Sequence, residues 1–180
     1  MPSRRDTIIR AVAALKKIRR VPFALFGASA LSVRGVKRET EDVDFLLRSD
    51  TKREAVRLLK AAGFKVVEQP DESQVVMRDS NGVETDLLFA RGEPYDTIRA
   101  DAELEADGTP VATAEGLILA YLLSDQPRHK DDGIRLLRRK LVNVRWVQNW
   151  LWEEGDRGSL LRLRRWIEAA RKPEGGLFGR

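Results

Sequence analysis

Hydrophobic positions along residues 7–19 fall at helical spacing. Ile8, Ile9, Val12, Leu15 and Ile18 recur with charges between them, predicting an opening amphipathic helix that Pro22 stops. The apolar run 23–26, bounded by Pro22 and Gly27, predicts a short buried strand, with a short helix over 28–33 behind it. A charged link over 35–41 leads into a second strand at 43–47. Residues 51–62 predict a helix with Ser49 or Asp50 as its N-cap and Gly63 as its stop. Strands are expected at 64–68, 75–78 and 83–89, the last two joined through Asp79, Ser80, Asn81 and Gly82 as an antiparallel hairpin. Past Pro94 the pattern turns helical to about residue 102, then extended around 108–111, then helical over 113–123. Three more helices follow at 131–141, 144–154 and 159–171, and the Gly- and Pro-rich end at 173–180 is expected to fray.

This order implies an α+β fold: a mixed β-sheet with flanking helices, followed by a helical C-terminal part. The expected division is a core over 1–112, a helical region over 113–172 and a flexible tail over 173–180. A chain of 180 residues suits one domain, or one domain with a helical extension. Hydrophobic residues at 42% and charged residues at 34% exclude a disordered chain, and no apolar run is long enough to span a bilayer. The amino terminus carries no apolar leader pattern, so the cytoplasm is the expected location.

With no cysteine and one histidine, His129, disulfides, thiolate zinc sites and multi-histidine metal sites are excluded. Any metal must be held mainly by carboxylates, and oxygen-rich sites suit magnesium or manganese. The net charge of +5 is unevenly spread: residues 128–180 hold 14 Lys/Arg against 7 Asp/Glu, and residues 1–127 hold 19 against 21. A basic helical tail fits an anionic partner such as nucleic acid, or a solvated face. Trp146, Trp150, Trp152 and Trp166 mostly recur at helical spacing among apolar neighbours, which favours packing over base stacking.

The segment 26–47 reads FGASALSVRGVKRETEDVDFLL. Asp42 and Asp44 stand two apart at a strand start, so their side chains share a face about 7 Å apart. Alone, such a pair is often solvated surface. Together with Asp86 on the strand VETDLLF, it forms the acidic set that a two-metal phosphoryl-transfer site requires, provided the two strands pair. Upstream, Gly27, Ala28 and Ser29 make a strand-to-helix turn of small residues, where backbone amides can approach a polyphosphate. The GxxxxGK[ST] phosphate loop is absent. His129 reads as a surface residue at a helix start, with Lys130, Asp131 and Asp132 as its capping turn.

In combination and order, these motifs resemble the DNA polymerase β-like nucleotidyltransferase superfamily, over roughly residues 20–140. Its pattern is hG[GS], a short helix, [DE]h[DE]h and a later acidic strand residue. Gly27 and Ser29 match the first part, Asp42-Val43-Asp44-Phe45 the second and Asp86 the third. Arg38 and Thr40, ahead of the acidic pair, are similar to the small bacterial branch that includes nucleotidyltransferase toxins of toxin–antitoxin systems, as are the stretches VATAEGLILAYLL and RHKDDGIRLL. The resemblance implies a magnesium- or manganese-dependent enzyme that moves an NMP group from an NTP to a hydroxyl acceptor. An RNA such as tRNA is the favoured acceptor, and a cognate toxin or antitoxin protein is an implied partner. Asp42, Asp44 and Asp86 would be catalytic and metal-binding, with Gly27, Ala28, Ser29, Arg38, Thr40 and Lys130 on the nucleotide. Two positions depart from the pattern. Ala28 stands where glycine is common, and Tyr121 stands where toxin-type relatives place a triphosphate-binding lysine, leaving Arg128 or Lys130 to substitute. The reading from another class is an inactive module of the same fold that acts as a regulator or antitoxin.

Overall fold

The computed structural model describes residues 4–18, 22–38, 40, 42–124 and 126–172. The chain divides into two compact units, Met1–Thr113 and Ala114–Arg180. The expected frayed end at 173–180 and the expected end of the first helix at residue 19 lie outside the described residues.

The first unit contains helices α1 (Arg4–Leu15), α2 (Gly27–Val33), α3 (Lys52–Ala61) and α4 (Tyr95–Ala100). Its strands are β1 (Ala24–Phe26), β2 (Val43–Arg48), β3 (Lys65–Asp71), β4 (Gln74–Arg78), β5 (Glu84–Ala90), β6 (Glu103–Leu104) and β7 (Pro110–Val111). They form one mixed sheet in the order β3-β4-β5-β2-β1-β7-β6. The sequence pattern explains the layout. β2 carries Val43, Phe45, Leu46 and Leu47, all buried, as a strand covered on both faces must be. β5, its parallel neighbour, alternates, with Thr85, Leu87 and Phe89 buried and Glu84, Asp86 and Leu88 half-buried, so Asp86 faces away from that core. β4 and β5 form the antiparallel hairpin expected around Asp79–Gly82.

Three local expectations are corrected. Neither Ser49 nor Asp50 caps α3: residues Ser49–Thr51 form a 3-10 turn, and no side chain caps the helix. Asp50 instead takes two hydrogen bonds from Arg48, Nε to Oδ1 at 2.6 Å and Nη2 to Oδ2 at 2.8 Å. β3 runs on to Asp71 through Pro70, and every residue in it is exposed. As an edge strand it has no buried face to pattern the sequence, and an edge tolerates proline. The inward face of α1 is Thr7, Ala11, Val12, Ala14 and Leu15, while Ile9 is exposed. Thr7 displaces Ile9 because its hydroxyl donates to Asp79 Oδ2 at 2.7 Å.

The second unit is helical: α5 (Ala114–Leu122), α6 (Pro127–Arg138), α7 (Val144–Glu153) and α8 (Arg157–Arg171). α7 and α8 begin on side-chain caps, where Asn143 Oδ1 accepts from the Trp146 amide at 3.1 Å and Asp156 Oδ1 from the Ser159 amide at 2.9 Å. Trp166 of α8 is buried over Gly133 of α6, where a Cβ would lie 2.7 Å from its Cε3 and nearer still to Cζ3. Trp152 departs from the expected packing role. It is 64% exposed, with the Arg157 guanidinium 5.0 Å from its ring centre. α6 starts earlier than the pattern predicts because Pro127 occupies its first turn, where a missing N–H costs nothing. Asp131 and Asp132 therefore lie inside the helix, and Asp132 is buried rather than capping. Among the described residues, no helix is long and apolar enough to cross a membrane.

Candidate active site

The sheet register lines up three residues from three strands. Phe26 of β1 sits opposite Asp44 of β2, and Asp44 sits opposite Asp86 of β5. In-register neighbours project to one face from strands about 4.8 Å apart, so the Asp44 and Asp86 carboxylates are side by side. Asp42 lies just before β2, half-buried. Its amide donates to Thr40 Oγ1 at 3.3 Å and its carbonyl accepts from Ser29 Oγ at 3.3 Å. These bonds tie the approach to β2 onto the turn that follows β1.

The acids are poorly compensated. Burial, then the neighbouring charges of Asp86 and Asp42, push Asp44 up to about 6, against the opposing pull of the Ala28 amide and Arg38. Asp86 is raised as well, by burial first and then by Asp42 and Glu84; a hydrogen bond from Gln74 Nε2 to its Oδ2 at 3.3 Å works the other way. Crowded carboxylates that Arg38 and the Ala28 amide only partly offset are donors of the kind a hard divalent cation takes. Among the described residues, no group of three or more His, Asp or Glu side chains is arranged to hold a metal ion, so the fit of Asp42, Asp44 and Asp86 rests on donor chemistry and register.

The turn after β1 is shaped around Asp44. Gly27 has φ +54°, and a Cβ there would fall 2.7 Å from Asp44 Cγ and nearer still to Oδ2. Glycine is required by both backbone and space. The Ala28 amide donates to the Asp44 carboxylate, so the turn first serves to hold that acid. Ala28 is buried at 4% exposure, which leaves room for a methyl but little more. Ser29, 2% exposed, donates to Asp42 and accepts from Arg4.

The structure thus gathers Gly27, Ala28, Ser29, Thr40, Asp42, Asp44 and Asp86, with Arg38 close enough to act on Asp44. Thr40 supports Asp42 through its hydroxyl. Lys130 belongs to the second unit, exposed on α6. Tyr121, at the position expected to hold a lysine, is a packing residue. It is 2% exposed and its ring stacks on His129, centres 4.7 Å apart at 20°. His129 is accordingly half-buried rather than a surface residue, with Nδ1 2.6 Å from Ser124 Oγ.

Two site residues escape sequence reading. Gln74 reaches Asp86 across the β4–β5 pairing, twelve positions away in the chain. Arg4, at the start of α1, bonds Ser29 Oγ and donates through Nη1 to the Thr40 carbonyl at 3.2 Å. One signal pointed to Arg4: cations are disfavoured at a helix N-terminus unless something else holds them.

No family model matches the sequence, and no curated protein matches it. Solved structures do resemble it. The antibiotic-resistance factor ANT(2'')-Ia in solution aligns over 92% of this chain and 90% of its own, with TM-score 0.52 and 20% identity. A crystal structure of ANT(2'')-Ia in complex with adenylyl-2''-tobramycin aligns over 91% and 96%, with TM-score 0.53 and 18% identity. The lincosamide antibiotic adenylyltransferase LnuA, lincomycin-bound, aligns over 73% and 95%, with TM-score 0.51 and 12% identity. In fold, the chain is a nucleotidyltransferase-type α+β protein.

Proposed function

We propose that this chain is a metal-dependent nucleotidyltransferase, moving an NMP group from an NTP to an acceptor hydroxyl and releasing pyrophosphate. The observation that carries the reading is the row Gly27, Asp44, Asp86, in which a glycine gives way to one half-buried acid and a second acid stands beside it in register. A purely structural sheet gains nothing from two adjacent acids whose protonation burial already favours. The shared fold adds support, since the similar structures include a named adenylyltransferase.

Asp42, Asp44 and Asp86 would hold magnesium or manganese. When bound, that ion supplies Lewis-acid compensation for charge on the phosphoryl oxygens. Ser29 donates its hydroxyl to the phosphate chain once its own contacts rearrange, and Gly27 and Ala28 allow the close approach. Arg38 and Thr40 flank the acids, Arg38 offering positive charge and Thr40 fixing Asp42. Asp86, on the open side of β5, orients the acceptor hydroxyl and accepts its proton as oxygen attacks the α-phosphorus and the bond to the bridging oxygen breaks.

For the acceptor, the reading favours an RNA such as tRNA, in a toxin-like role. Its support is charge: the unit Ala114–Arg180 holds 14 Lys/Arg against 9 Asp/Glu, while Met1–Thr113 holds 19 of each. A second reading, a small-molecule hydroxyl, is favoured by the near full-length likeness to the structure holding adenylyl-2''-tobramycin. The test offers α-labelled NTPs and magnesium with total RNA in one arm and aminoglycosides and lincosamides in the other. Label on RNA that disappears in Asp44→Ala supports the first reading, and label on an antibiotic supports the second. NTP binding without transfer to either acceptor would replace both with a binding module.

A further inference from the structure

We propose that Arg4 is the cationic clamp for the triphosphate, a positioning residue supplied by α1 in place of the helix lysine that Tyr121 replaces. The inference rests on the nucleotidyltransferase reading and adds to it a residue that no motif contains.

The guanidinium sits where a phosphate chain held by Ser29 must pass. One terminal nitrogen bonds Ser29 Oγ, the other donates to the Thr40 carbonyl at 3.2 Å, and both bonds anchor it beside the two residues that flank the acidic pair. Its Nε is buried and has no hydrogen-bond partner among the described residues. Folding an N–H into that position with nothing to accept it is costly, and an anionic oxygen arriving at the site would satisfy it. Burial holds the Arg4 pKa below its ordinary value, while Asp44 and Asp42 pull it back up, so the charge is retained beside the acids. Arginine's fork of donors suits a phosphate better than a lysine point charge does. Tyr121 is withdrawn from any such task by its burial against His129.

The test is calorimetric titration of the full chain with Mg·ATP and, separately, with inorganic tripolyphosphate, for wild type, Arg4→Ala, Arg4→Gln and Arg4→Lys, each checked for an unchanged unfolding midpoint. Clamping predicts that Arg4→Ala and Arg4→Gln weaken both ligands by about 10- to 100-fold, that Arg4→Lys recovers part of the loss, and that KM for the NTP rises more than kcat falls. Wild-type affinity for tripolyphosphate in Arg4→Gln, which keeps a donor for Thr40 but no charge, overturns the proposal, and so does a loss of stability with affinity unchanged. The underlying reading fails separately: if wild type transfers no label while tripolyphosphate binding still depends on Arg4, the clamp stands and the reaction falls. If transfer occurs and Asp86→Asn abolishes it while Arg4→Ala leaves KM unchanged, the reaction stands and the clamp falls.

Discussion

Two aspartates of the first unit, buried Asp79 and half-buried Asp44, show two different uses of a carboxylate withdrawn from water. Asp79, 6% exposed in the β4–β5 turn, is surrounded by donors: the Thr7 hydroxyl at 2.7 Å, the Asn81 amide at 2.8 Å, the Val83 amide at 3.1 Å, the Asn81 side chain at 3.2 Å and the Arg10 guanidinium. Burial by itself would raise it, but these bonds prevail and hold it below the usual carboxylate range. Asp44 is instead pushed up to about 6, by burial first and then by the charges of Asp86 and Asp42. The first carboxylate has all its partners inside the chain and fastens α1 to the sheet. The second lies among acids, with Arg38 and the Ala28 amide only partly offsetting them, which is how perturbed carboxylates at functional sites are arranged.

The contrast breaks most visibly at Asp79. Asp79→Ala leaves the buried Thr7 hydroxyl and the Asn81 and Val83 amides without their acceptor and should cost about 3 kcal/mol in urea unfolding, with transfer per folded molecule little changed. Asp44→Asn should do the reverse, raising stability of the metal-free chain at pH 7 by on the order of 1–3 kcal/mol while transfer is lost. A loss of stability there would show that Asp44 is as well satisfied as Asp79. Gly27→Ala should fall between them. Left-handed backbone and the contact with Asp44 together cost about 1–2 kcal/mol, and transfer should drop with it, as unfolding and label assays on one preparation would reveal.

The smallest expected effect is in the pH profile, where the two signs oppose. Asp44 has its folded pKa above the unfolded value, so its ionisation is a penalty that grows as pH rises from about 4 to 6 and is relieved on acidification. Asp79 has its folded pKa below the unfolded value, so its contribution is complete at neutral pH and is lost only as pH falls through that lowered pKa. Metal-free protein should therefore gain about 1 kcal/mol between pH 7 and pH 5 before losing stability below about pH 4. Asp44→Asn should flatten the first limb and leave the second, as urea midpoints across that range would show.

Sequence patterning made much of this legible. Gly27, Asp42, Asp44 and Asp86 were visible because glycine and acids interrupt apolar runs at strand ends, and the core strands were visible because burial on both faces leaves unbroken hydrophobic stretches. Asp79 was read only as a turn residue, since nothing local reports that Thr7 and Arg10, about seventy positions earlier, supply donors to it. Arg4 and Gln74 were hidden for the same reason: each reaches the site through tertiary pairing, not through spacing. The full length of β3 is not legible because an exposed edge has no alternation to print, and Asp132 falls inside α6 rather than at its cap because Pro127 begins the helix.

Whether Asp44 and Asp86 stand side by side for nucleotidyl transfer is answered most directly by label transfer. Wild type, Asp44→Asn and Asp86→Asn, matched for folding, would be incubated with α-labelled NTPs, magnesium and the acceptor arm that wild type labels. The account predicts transfer by wild type and at least a roughly thousandfold loss in both variants. Transfer at wild-type rates in either variant would contradict it.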